Sequence, residues 1–265
     1  MNNTLSTRAA FGIVIASLFS AFFAGALVLG IGLSNPDLPQ QPYTFISFIV
    51  GQGFMLVPLL LFLRSRKEPI AKRLRLRPIK ASLLTSTIYL SLGIIIISDE
   101  LDRIINSFLP APEYILDLNG LLQPESLMGF VLLFIAVSII APLGEELLFR
   151  GFFQQVLEEH WKDVTRAVLV TALFFAMIHM NPYWFIQIYI LGILLGFLAW
   201  RTGSVIPSLV LHSINNTMAM FFSFVDIEHN TFYLFHGHVA PWFILLAVYA
   251  VVIGFKGVNR GREER

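Results

Sequence analysis

The feature that most limits this chain is a series of long stretches with almost no charge. They run over Ala9–Leu33, Tyr43–Leu63, Ala81–Ser98, Ser126–Ala141, Thr165–Met180, Tyr183–Trp200, Val205–Phe224 and Val239–Phe255. About 20 apolar residues in helical form match the thickness of a hydrocarbon core. Inside that core only a helix or a closed barrel satisfies its own backbone. The expected fold is therefore all-α: a polytopic membrane protein, a bundle of about eight transmembrane helices. Composition agrees, with 56% hydrophobic residues, 13% charged and a mean hydropathy of +0.74, where a soluble domain carries roughly a quarter charged residues. One continuous membrane domain is expected in three parts. Residues 1–125 hold the first helices and a basic loop at 64–80, residues 126–225 a core of four helices, and residues 226–265 an external loop, a last helix and a basic tail.

Charge orients the bundle. Residues 64–80 contain eight of the eighteen Lys and Arg, and by the positive-inside rule such a loop stays cytoplasmic. Threading the spans from there brings Arg8, Lys162, Arg166, Arg201, Lys256, Arg260, Arg262 and Arg265 to the same side and leaves only Arg103 outside. The external segments carry Asp37, Asp99, Glu100, Asp102, Glu113, Asp117, Glu125, Asp226 and Glu228 instead. Both termini are expected in the cytoplasm, and the basic loop is expected to be a solvated anchor on anionic headgroups. The first stretch contains Ala24-Gly25-Ala26, a peptidase-like site, but runs on through Leu33, so it is expected to be a retained helix. The compact chain suggests a prokaryotic plasma membrane. Without cysteine, disulfides, thiolate catalysis and thiolate metal ligands are all excluded. Nothing in the charge pattern suits nucleic acid.

Ionisable residues at membrane depth are costly and usually face an interior cavity. Here they are Glu145, Glu146, Arg150, His179 and His212, with Asn215 and Asn216 as polar company. In an antiparallel hairpin turning near Lys162, Glu145 and His179 lie level with each other, roughly 20–25 Å from the turn. Counted from a second turn at Gly203, His212 and Asn216 rise about 14 Å and 20 Å. Glu146 and Arg150, four residues apart, can neutralise each other. Glu145 is about 100° round the helix and free to face something else. Phe175 and His179, like His212 and Asn216, are also one turn apart. A carboxylate and an imidazole at one level can hold and deprotonate a water, and a His–Asn pair can stabilise the oxyanion formed when that water attacks an amide. His160, His229, His236 and His238 fall in loops outside this pattern.

These residues carry a resemblance. "APLGEELLFRG" resembles the first motif of the CAAX-protease and bacteriocin-processing (CPBP) family of intramembrane proteases, related to the type II CAAX prenyl endopeptidase. "FAMIH", Phe175 to His179, is similar to its second motif and "HSINN", His212 to Asn216, to its third. The likeness covers about residues 126–220 and includes the Gly192–Gly196 spacing. It implies an eight-helix intramembrane endopeptidase acting on a peptide or membrane-protein substrate within the lipid bilayer. Glu145 would be the general base and His179 its partner on the water. Glu146 and Arg150 would support and orient, and His212 and Asn216 would stabilise the oxyanion.

Two questions stay open at this level. Glu145, His179 and His212 are donors that Zn²⁺ accepts, yet the glutamates are adjacent and no His-Glu-x-x-His helix is present. The cofactor is therefore none or Zn²⁺, with the metal-free mechanism preferred. The competing functions are a non-catalytic scaffold or immunity protein of the same fold, and a small-solute transporter, which would ordinarily show an internal repeat that this sequence lacks.

Overall fold

The computed structural model describes residues 5–35, 37, 39–113, 115, 123–224 and 232–263. Its helices are α1 (Thr7–Leu33), α2 (Gln40–Ser65), the one-turn α3 (Ile70–Arg73), α4 (Ala81–Phe108), α5 (Leu127–Trp161), α6 (Val164–Ile178), α7 (Phe185–Thr202), α8 (Ile206–Phe224) and α9 (Pro241–Glu263). The fold is all-α, a polytopic membrane protein, as the apolar stretches require. Among the described residues, six helices, α1, α2, α4, α5, α7 and α9, are each long and apolar enough to cross a membrane. Helix α6 is shorter at 15 residues, about 22 Å. Helix α8 has 19 residues, and its His212, Asn215 and Asn216 dilute its apolar character.

Local chemistry sets the ends. Ser6, Ser126 and Asp163 cap α1, α5 and α6 by accepting the backbone N–H of Ala9, Gly129 and Arg166 at 3.2, 3.1 and 3.0 Å, satisfying donors that a helix start leaves free. Lys162 (φ 55°) stops α5 in the left-handed region, and Gly203 (φ 59°) stops α7. Between α8 and α9, Leu234–Phe235 pairs antiparallel with His238–Val239. The two-residue turn His236–Gly237 has positive φ at both positions, the twist that a tight hairpin needs. Glu100 holds this hairpin, one carboxylate oxygen on His238 Nδ1 (2.8 Å) and the other accepting Val239 N–H (2.7 Å).

The helices pack as two flanking pairs around a central four. Helix α1 lies along α2, and α4 lies along α9. The second pair is close because each helix offers a glycine: a Cβ at Gly93 would come within 2.5 Å of Ala247 O, and one at Gly254 within 2.7 Å of Leu90. Helices α5 to α8 form the centre; Phe149 and Phe175 are buried against each other there, and Phe152 and Phe153 are buried against Phe62 of α2 and Phe11 of α1.

Three findings modify the sequence reading. The stretch expected to end at Ala141 continues to Trp161 as one 35-residue helix, about 52 Å long. It is interrupted by two π-helical segments, Ile135–Ile140 and Leu147–Phe153. The basic loop is not a free, solvated anchor. Leu74 is buried, Arg73 pairs with Glu68 and Glu159 at 2.8 Å each, and Arg75 pairs with Glu158 and donates to the Arg150 carbonyl. These arginines found acidic partners within the protein, so only part of the loop's charge is left for lipid. Asp117, Asp226, Glu228, His229 and Arg265 lie outside the described residues.

Candidate active site

Helix α5 supplies the charged groups. Glu145 and Glu146 sit in the α-helical turn Ala141–Glu146, between the two π segments, and Arg150 lies in the second of them. Segments of this kind change the angular phase of a helix and recur at functional sites. The backbone N–H of Gln154 reaches back five residues to Phe149 O, so the helix is wide where Arg150 leaves it. Gly144 lets α2 come close: a Cβ there would lie 2.8 Å from Met55 Cε and 3.1 Å from Gln52 O.

The expected Glu146–Arg150 pair forms, Nη1 to Oε1 at 2.8 Å, with both side chains fully buried. The same Glu146 oxygen meets His212 Nδ1 at 2.9 Å. Arg150 Nη2 donates to the Gly192 carbonyl on α7 at 3.2 Å, and its guanidinium lies 4.0 Å from the centre of the Phe175 ring, a cation–π contact strengthened by burial. One turn on, Gln154 donates to the Gly196 carbonyl at 2.9 Å. The Gly192–Gly196 spacing thus exposes two carbonyls of α7 to two side chains of α5.

Glu145 points away from this pair, as its angular position requires. Its Oε1 accepts Gln52 Nε2 at 3.4 Å, and its Oε2 lies 3.8 Å from His212 Nε2 without a hydrogen-bond partner. His212 therefore has a carboxylate oxygen hydrogen-bonded at Nδ1 and a second carboxylate oxygen 3.8 Å from Nε2, beyond hydrogen-bond distance.

His179 caps the C-terminal end of α6, followed by Met180 at φ 47°. Its Nδ1 is 2.7 Å from the Phe175 carbonyl oxygen, which only accepts, so Nδ1 carries the proton and Nε2 is free. The Phe175 ring lies 4.8 Å from the His179 ring and 5.6 Å from that of His212, between the two. Among the described residues, Glu145 and His179 share no hydrogen bond or ion pair. Asn216 donates to the Val137 carbonyl at 3.0 Å and accepts from Asn215 at 3.4 Å. Its amide is anchored on α5 and keeps a second N–H.

Zn²⁺ needs several donors gathered around one point. Among the described residues, no group of three or more His, Cys, Asp or Glu is placed to hold a metal ion.

Gln52 is the site residue that sequence reading missed. It comes from α2, carries no charge, and belongs to none of the motifs; only its amide in an apolar helix could have drawn notice. Phe175 was noticed for its contact with His179, but its contact with Arg150 was not foreseen.

Fold and site together define a polytopic all-α membrane protein with a buried carboxylate, imidazole and guanidinium cluster at its centre. Residues 127–218 match the type II CAAX prenyl endopeptidase Rce1-like family. That segment carries Glu145, Glu146, Arg150, His179, His212 and Asn216, so the family resemblance read from the motifs holds over the region that builds the site. No curated protein and no solved structure matches the chain.

Proposed function

We propose that this protein is an intramembrane endopeptidase that hydrolyses a peptide bond in a hydrophobic or membrane-associated substrate, with Glu145 as general base. The observation that carries this reading is Glu145 Oε2, which among the described residues is buried without a hydrogen-bond partner, 3.8 Å from His212 Nε2 and next to the Glu146–His212 hydrogen bond. Glu145 accepts a proton from a water as it attacks the scissile carbonyl and passes that proton to the leaving amine. The free Nε2 of His179 accepts the second hydrogen bond of that water once substrate brings the groups together. His212, held on Glu146 through Nδ1, donates its Nε2–H to the developing oxyanion, and the second N–H of Asn216 joins it. Arg150 holds Glu146 in place so that His212 does not turn. The Lys and Arg asymmetry supports an integral membrane protein with both termini in the cytoplasm.

The test is cleavage of a library of hydrophobic peptides by detergent-purified wild type beside Glu145→Gln, each with and without a strong zinc chelator. We expect cleavage by the wild type, at least 10³-fold less by the variant, and no effect of the chelator. A fully active Glu145→Gln would remove the assigned base. Inhibition by chelator that added zinc reverses would establish metal dependence.

A further inference from the structure

Beside the site, α5 and α8 leave an open groove of about 310 Å³. Its walls are Phe134, Ile139 and Leu143 from α5 and Leu209 and Ile214 from α8. Three hydroxyl residues also line it: Ser138, Ser213 and Thr217. Thr217 spends its hydroxyl on the Ser213 carbonyl at 2.7 Å. Ser138 does not. It lies within the first π segment, is 2% exposed, and among the described residues its Oγ has no hydrogen-bond partner. A buried hydroxyl left this way forfeits a hydrogen bond that it would make in water.

The groove adjoins the site on both walls. Ser213 and Thr217 follow His212 and Asn216 directly in α8. Leu143 stands two residues before Glu145, and Ser138 follows Val137, whose carbonyl holds Asn216. An occupant must bring apolar bulk for the walls and a hydrogen-bond acceptor for Ser138. A lipid acyl chain brings only the first. A residue with an apolar side chain in an extended peptide brings both, because its own carbonyl is exposed to accept.

Resting on the endopeptidase reading above, we propose that this groove is a substrate subsite, which takes one apolar residue beside the scissile bond and anchors that residue's backbone carbonyl on the Ser138 hydroxyl. The subsite selects for side-chain size through Ile139, Leu143 and Ile214, and for peptide over lipid through Ser138.

The test uses the full-length protein carrying Glu145→Gln, so that peptide stays intact. Two probes are compared, hydrophobic peptides bearing one diazirine-labelled leucine and a diazirine-labelled fatty acid, and crosslinked residues are read by mass spectrometry. The peptide should label Ile139, Leu143 or Ile214 from a single position of its sequence. Labelling should fall about fivefold in Ser138→Ala and recover in Ser138→Thr, which restores the hydroxyl. In the Glu145-intact enzyme, Ser213→Phe should shift cleavage at that position from large to small side chains by tenfold or more. Groove labelling by the fatty acid in preference to the peptide would overturn the proposal. So would peptide labelling unchanged by Ser138→Ala, or a uniform loss across all side chains in Ser213→Phe. The two readings fail separately. Groove labelling by peptide with no Glu145-dependent cleavage would sink hydrolysis alone, and Glu145-dependent cleavage without groove labelling would sink the subsite alone.

Discussion

At the scale of single residues, the site is a linked set of charged groups, and its members should respond unequally to removal. Arg150 is fully buried and serves Glu146, the Gly192 carbonyl and the Phe175 ring at once. Arg150→Ala leaves a carboxylate buried without its counter-charge and should destabilise the protein by about 3–5 kcal/mol, read as a lower melting temperature in detergent. Arg150→Lys keeps the charge but not the planar fork that reaches two partners, and should fall between wild type and Ala. Glu145→Gln removes a charge that faces an unpartnered edge, so it should abolish activity with a smaller loss of melting temperature than Arg150→Ala. The Glu146–Arg150 pair was legible in the sequence, because a charge inside an apolar stretch needs a reason and spacing of four residues names its partner. Gln52 was not legible. A neutral amide carries no such penalty, and its meeting with Glu145 depends on how closely α2 approaches Gly144, a tertiary fact.

At the scale of elements, α5 determines the arrangement, and the basic loop determines part of α5. A Cβ at Gly151 would lie 2.9 Å from Leu74 O and 3.1 Å from its Cα, so the loop backbone runs directly over the helix. Gly151→Ala should lift the loop from α5 and cost about 1–3 kcal/mol. Gly53→Ala, on a face of α2 with nothing within 4 Å, should stabilise by up to about 1 kcal/mol. Thermal melting of the two variants side by side checks both signs. The existence of each helix was legible from apolar length. The two π segments were not, because the few polar residues they contain, Ser138 and Arg150, are too sparse for their spacing to mark a change of phase. Docking of the loop was hidden for the opposite reason: eight basic residues in one segment suggest solvent or lipid, while Arg73 and Arg75 owe their positions to Glu158 and Glu159, far along the chain.

At the scale of the whole molecule, orientation can be tested against a clean background, since the chain has no cysteine. A single Lys67→Cys should react with a membrane-impermeant maleimide only once the cytoplasmic face is opened. Gly237→Cys, in the hairpin at the other end of the bundle, should react from outside in intact cells. The reverse pattern would invert the topology drawn from Lys and Arg.

The polar bonds of the centre are unevenly shared. Helix α7 is fastened to α5 by two side chains on two carbonyls, Arg150 on Gly192 and Gln154 on Gly196. Helix α8 is fastened by His212 and Asn216. Among the described residues, α2 meets α5 through one side-chain hydrogen bond, Gln52 to Glu145, at 3.4 Å. Apolar contact costs little to exchange for lipid tails, which are themselves apolar, whereas a hydrogen bond broken in hydrocarbon finds no replacement. In a bilayer these three seams therefore differ in strength according to their polar stitches rather than their contact area, and the most lightly stitched of the three runs past the carboxylate of Glu145.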